Sequence, residues 1–192
     1  MRVAAVAPAP AWHLTARVVE RFGGVVPEPE LASDTEVERR LQERTADLAI
    51  TRRPVTLPGR RCLPLMTEAL ALLAPDRHPL AAHHEVSFAD MAGETFLVRD
   101  RVGFWKDVCE RSIPDARFII QSDVEVFFQT VRTSDLLCFT TDAPQHRGRV
   151  EGRVAVPISD ASARAAFYLV SLVDAPSRVT EVVDWMAASQ GA

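Results

Sequence analysis

The sequence predicts an α/β protein of two lobes joined by two crossover strands. Three observations carry this. Short β-branched runs alternate with segments of helical period from the first residues onward. The alternation opens as β-α-β-α-β within 50 residues, which implies a parallel sheet. A crossover out near Ala74 and back near Val154 would assign residues 1–74 and 154–192 to lobe I and residues 75–153 to lobe II. The composition suits this: of 192 residues, 47% are hydrophobic and 25% charged, as in ordinary globular chains able to bury a core.

Residues 3–6 form a β-branched run ended by Pro8 and Pro10, a buried strand followed by a loop over residues 7–12. Residues 13–22 place Leu14, Val18, Val19 and Phe22 on one helical face, and Gly23-Gly24 stops that helix. Residues 25–32 read as a second strand, which Pro27 and Pro29 confine to an edge. Ser33-Asp34-Thr35-Glu36 has the spacing of a capping box, with Val37 and Leu41 on the buried side of its helix. Residues 46–50 are the third strand. After a Pro/Gly loop (residues 54–61) comes a long apolar run of β character over residues 62–74, closed by Pro75 to Pro79.

The theme then repeats. Ser87 to Asp90 opens a one-turn helix closed by Gly93, residues 95–99 are strand-like, and residues 104–112 are helical. Residues 118–120 form the next strand. Ser122-Asp123-Val124-Glu125 is a second capping box, with Ser122 as cap and Val124, Phe127, Phe128 and Val131 as a core-facing stripe. Residues 136–139, 154–156 and 167–173 supply further strands. From Pro176 a last helix carries Val179, Val182, Val183 and Met186 on one face.

Charge and motifs exclude several functions. Lysine plus arginine is 22 and aspartate plus glutamate 26, a net charge of −4, with no basic stripe of the kind that binds nucleic-acid phosphates. No apolar run approaches the roughly 20 residues that span a bilayer. The stretch from Val3 to Ala7 is too short for a secretory h-region, so a cytoplasmic location is expected. Three cysteines, an odd number without a C-x-x-C pair, suit buried free thiols. The five histidines have no metal-ligand spacing, and neither a phosphate-binding glycine loop nor G-x-S-x-G occurs. No cofactor, metal or catalytic residue is therefore assigned.

Several stretches together resemble one family. They are Arg2-Val3-Ala4-Ala5-Val6, Val19-Glu20-Arg21-Phe22, and Leu41 to Ile50, which resembles L-x-x-G-x-L-D-L-A-I with Arg44 and Thr45 near the usual glycine. Leu72 to Leu80 is close to L-V-x-P-x-x-H-P-L, and Val86 to Glu94 to V-S-L-x-D-L-A-G-E. The chain is similar, nearly end to end, to the effector-binding domain of LysR-type transcriptional regulators. The resemblance implies a type 2 periplasmic binding protein-like fold with two Rossmann-like lobes and a small-molecule effector in the interlobe cleft. It also implies a homodimer or tetramer whose geometry the effector alters. DNA is then reached only through a helix-turn-helix that residues 1–192 do not include. One departure is the segment Thr133 to Asp142, which lacks the glycines of the family's G-x-G-I-x-x-L-P. Alternatives are a stand-alone metabolite-binding protein, or an enzyme on the same scaffold, which the shortage of cleft carboxylates beyond Asp100 and Asp142 disfavours.

By the same resemblance the effector would lie against strand-to-helix loops, where free amides favour an anion such as a carboxylate. In lobe I these loops hold Ala9, Pro10 and Trp12, then Arg52 and Arg53. Trp12 would stack on a ligand or pack the helix start; the arginines would fork onto a carboxylate or stay solvated. In lobe II they hold Arg99, Arg101 and Gly103, then Ser122, then Thr140 and Thr141 after a strand. Arg99 would reach the ligand or pair with Asp100. Ser122 would touch it or only cap its helix, and the threonines would offer hydroxyls or simply end a strand.

Overall fold

The computed structural model describes residues 1–100, 102–143 and 150–189. The chain divides into two compact units: Met1–Thr67 with Ala166–Ala192, and Glu68–Ala165.

In the first unit, β1 (Arg2–Ala5) lies between β2 (Glu28–Leu31) and β3 (Leu48–Thr51) and runs parallel to both. Ala4 stands opposite Glu30 on one side and Ala49 on the other. Helices α1 (Pro8–Arg21) and α2 (Asp34–Gln42) make the two connections. Leu14 and Val18 of α1, Val37 and Leu41 of α2, and Leu48 and Ile50 of β3 are all buried, so the helical stripes and the strand faces meet as their periods require. Every residue of β2 is exposed: it is an edge strand, as Pro29 requires. The Ser33 cap is present, with Glu36 N donating to Ser33 Oγ at 3.3 Å. The Glu36 carboxylate, however, turns to Arg39 and Arg40 instead of reaching back. At the end of α2, Arg44 takes φ = +58° at the place where the resembling motif has its glycine.

One expectation fails here. Helix α1 starts at Pro8, not at His13, because a proline in the first helical turn has no missing bond to regret and its fixed φ already suits a helix. Residues 8–12 are thus helix and not loop.

β4 (Arg60–Pro75) and, near the end of the chain, β9 (Arg164–Leu172) each run across the boundary between units. β9 pairs antiparallel with β3, Ile50 opposite Leu169. The chain closes with α5 (Ser177–Ala188), whose Val179, Val182, Val183 and Met186 are buried. Its Trp185 meets Phe22 edge-on at 5.5 Å, and Arg17 lies over the same indole.

In the second unit, the later part of β4 lies between β7 (Cys138–Thr141) and β8 (Arg153–Pro157), antiparallel to both, with Leu72 opposite Phe139 and Val156. β5 (Thr95–Arg99) and β6 (Arg117–Gln121) form a parallel pair. α3 (Trp105–Ser112) and α4 (Val124–Thr133) complete the unit. Phe96 stacks on Phe118 and Phe139, with ring centroids 5.6 and 4.8 Å away, in a core with Leu70, Leu72, Met91 and Leu137. Arg153 ties β8 to α4 and to the loop that follows it: Nε donates to the Val131 carbonyl at 2.7 Å, Nη1 to Leu136 at 2.7 Å and Nη2 to Ser134 at 2.8 Å. A cation at the C-terminus of α4 also answers the negative end of that helix.

Two expectations change in α4. The cap is Asp123 and not Ser122: Val126 N donates to Asp123 Oδ1 at 2.9 Å. A carboxylate caps as well as a hydroxyl, and it is Asp123 that directly precedes the helix. Of the four apolar residues, Phe127 and Val131 are buried, whereas Val124 and Phe128 are 43% and 44% exposed.

Candidate functional site

In the first unit, Ala9 and Pro10 are buried within α1, and Trp12 is exposed at its second turn. The helix begins Pro-Ala-Pro, so Ala9 supplies the single backbone N–H among its first three residues. That end therefore offers far less to an anion than an ordinary helix N-terminus. Arg52 follows β3 and forks onto the carboxylate of Asp34 at the start of α2, through an Nη2 ion pair and an Nε contact of 3.4 Å. Arg53 is exposed, and its carbonyl accepts from Thr51 Oγ1 at 2.8 Å. A cavity of about 380 Å³ between α2 and the segment after β3 is lined by Glu38, Leu41, Val55, Leu57 and Arg60 among others. None of the residues singled out from the sequence lines it.

In the second unit, Arg99 ends β5, half-buried, and its side chain makes no hydrogen bond or ion pair among the described residues. It stands opposite Gln121, which brings it to the same end of the β5–β6 pair as the exposed Ser122. Arg101 lies outside the described residues. Gly103 has φ = +71°, a conformation that favours glycine, just before α3. Thr140 and Thr141 are the last two residues of β7, opposite Ala71 and Leu70, so they end the strand rather than follow it. Thr141 Oγ1 accepts from Ala143 N at 3.4 Å. The structure thus puts Arg99 and Ser122 at one end of the β5–β6 pair, places the threonines at the end of β7 beside β4, and pairs Arg52 with Asp34.

A residue passed over in the sequence is Glu68. It is 3% exposed, and its Oε2 accepts a hydrogen bond from Nε1 of Trp105, the first residue of α3, at 3.0 Å. The signal was its position two, four and six residues before Leu70, Leu72 and Ala74, in phase with the buried face of β4. Next to it, Ala69 N donates to Asp142 Oδ1 at 2.7 Å.

Two of the three cysteines are buried as thiols. Burial pushes the Cys109 thiol up to about 12, helped by the Glu110 charge, and the Cys138 thiol up to about 11 despite Arg153. Among the described residues no three His, Cys, Asp or Glu side chains converge as metal ligands, and no helix is long and apolar enough to cross a membrane.

Two mixed α/β units linked by a pair of long strands define the class of periplasmic binding protein-like folds. The chain belongs to the LysR substrate binding domain family, whose model matches residues 2–190. Three solved structures share its fold. The reduced OxyR regulatory domain from Pseudomonas aeruginosa has TM-score 0.73 and 16% identity, covering 100% of this chain and 96% of that one. The CcmR regulatory domain of Synechocystis PCC6803 in complex with 2-PG has TM-score 0.70 and 15% identity, covering 98% and 96%. The BenM effector-binding domain with its effector benzoate has TM-score 0.68 and 13% identity, covering 100% and 93%.

Proposed function

We propose that this chain is the effector-binding part of a cytoplasmic LysR-type regulator, that its two units are the two lobes of that domain, and that its effector is a small organic molecule bearing a carboxylate. The observation that carries the ligand class is Arg99: a half-buried guanidinium at a strand end, next to the α4 N-terminus, with no partner among the described residues. The benzoate bound by BenM is consistent with this chemistry. Effector binding favours one arrangement of a dimer over another, so the readout is a shift in population. DNA contact belongs to a helix-turn-helix and not to these two units, in keeping with a net charge of −4.

The homodimer is supported by apolar side chains left exposed around two edge strands. On the first unit these are Leu31 of β2 and Val19 of α1. On the second they are Ile119 and Ile120 of β6 with Val124 and Phe128 of α4. Side chains of this size, gathered on strand edges, mark association surfaces.

Thermal melting against a panel of small carboxylates tests the ligand class. At least one should raise the melting temperature, and Arg99→Ala should remove that shift while Arg52→Ala leaves it. Shifts produced by neutral compounds alone would overturn the carboxylate assignment.

A further inference from the structure

Among the described residues Glu68 is the only buried side chain of the Asp, Glu, Lys, Arg and His types. It occupies a place in β4 where Leu70, Leu72 and Ala74 continue the row into an apolar core, and a residue needed for packing alone would be apolar. No cation among the described residues pairs with it. Its Oε2 is held by the Trp105 indole, whereas Oε1 makes no hydrogen bond among the described residues. Every solvent-sealed polar side-chain atom among the described residues does have a partner. Oε1 therefore faces a space that solvent-sized atoms can enter.

A carboxylate half-bonded in this way has one oxygen held and the other open to a donor, and among apolar neighbours a cationic donor suits it best. The Trp105 ring that holds Oε2 is itself fixed by packing on Phe104, with centroids 4.4 Å apart.

We propose that Glu68 is an effector-recognition residue whose Oε1 accepts a hydrogen bond from a protonated amine on the small molecule. Trp105 is the positioning residue that fixes the carboxylate. This rests on the effector-binding reading above and sharpens it: Arg99 selects a carboxylate, Glu68 an ammonium, and an amino-acid-like molecule carries both.

The test is thermal melting, followed by titration calorimetry, against matched probe sets. Each set has one skeleton in amine, alcohol and methyl forms, with and without a carboxylate. Amine members are expected to bind and their methyl counterparts not to. Glu68→Gln keeps an oxygen for Trp105 at nearly the same volume. It should lose about tenfold or more in amine affinity, as a charge-assisted bond becomes a neutral one, and melt no lower than wild type without ligand. If the variant folds poorly, the comparison of amine with alcohol and methyl members on the wild type alone decides the matter. Binding indifferent to the amine, or equal for wild type and Glu68→Gln, would overturn the Glu68 assignment and leave the effector reading intact. No shift with any probe would overturn both.

Discussion

The Arg153 guanidinium donates through Nε to the carbonyl of Val131 at 2.7 Å, binding β8 to the last turn of α4 across 22 residues of chain. The same group reaches Leu136 and Ser134, so one side chain serves three main-chain carbonyls. Arg153→Ala should lower stability by about 2 kcal/mol or more in urea denaturation, because each carbonyl left unpaired away from water is costly. Arg153→Lys should recover less than half, since one ammonium cannot reproduce the planar fork. A fully stable lysine variant would show that charge alone matters.

The thiols should differ in reactivity. Cys109 and Cys138 are buried and raised to about 12 and about 11, so at pH 8 almost no thiolate forms at either. Cys62 is only half-buried. Timed iodoacetamide labelling read by peptide mass spectrometry should modify Cys62 first and the other two only on unfolding. Early modification of Cys109 in the folded chain would contradict the structure.

Phe128 is 44% exposed on α4, beside a β6 edge that shows Ile119 and Ile120. If this face covers a second copy, Phe128→Asp should turn a dimer into a monomer in sedimentation equilibrium at tens of micromolar, with the melting temperature of the monomer little changed. A dimer unaffected by the substitution would place the contact elsewhere.

Glu36 accepts hydrogen bonds from Arg39 and Arg40, and these hold its carboxyl at about 2 against an ordinary 4.5. A carboxyl depressed on folding contributes stability above its unfolded value, and loses it as pH falls towards the folded one. Glu36→Gln should therefore melt below wild type at pH 6, and the two should converge as pH falls from about 4.5 towards 2. A gap that persists at pH 2 would assign the effect to helix propensity rather than charge.

The opening β-α-β-α-β was legible because its signals are local: β-branched runs, a serine cap at Ser33, a proline on an edge strand. Failures came where one residue type serves two structures. Pro8 and Pro10 look the same opening a helix as they do in a loop. Periodicity marked Val124 and Phe128 as apolar without saying whether the chain itself or another molecule covers them. For Arg52 the sequence left a ligand fork and a solvated side chain both open; its pairing with Asp34, 18 residues away, carries no local signal. Glu68 was hidden for the opposite reason. In an otherwise apolar run a single glutamate reads as an exposed position, and only its phase with Leu70 and Leu72 says otherwise.

The first unit is discontinuous, closing only when residues 166–192 return to it, whereas the second is one unbroken stretch, Glu68–Ala165. On the ribosome this reverses the usual order in which the N-terminal part folds first. The inserted unit is complete once residue 165 has cleared the exit tunnel, while β1, β2 and β3 still wait for β9 and α5. Until then Leu48, Ile50 and Leu14 lack part of their cover, and the nascent chain passes through a stage in which the unit begun first is the less protected of the two.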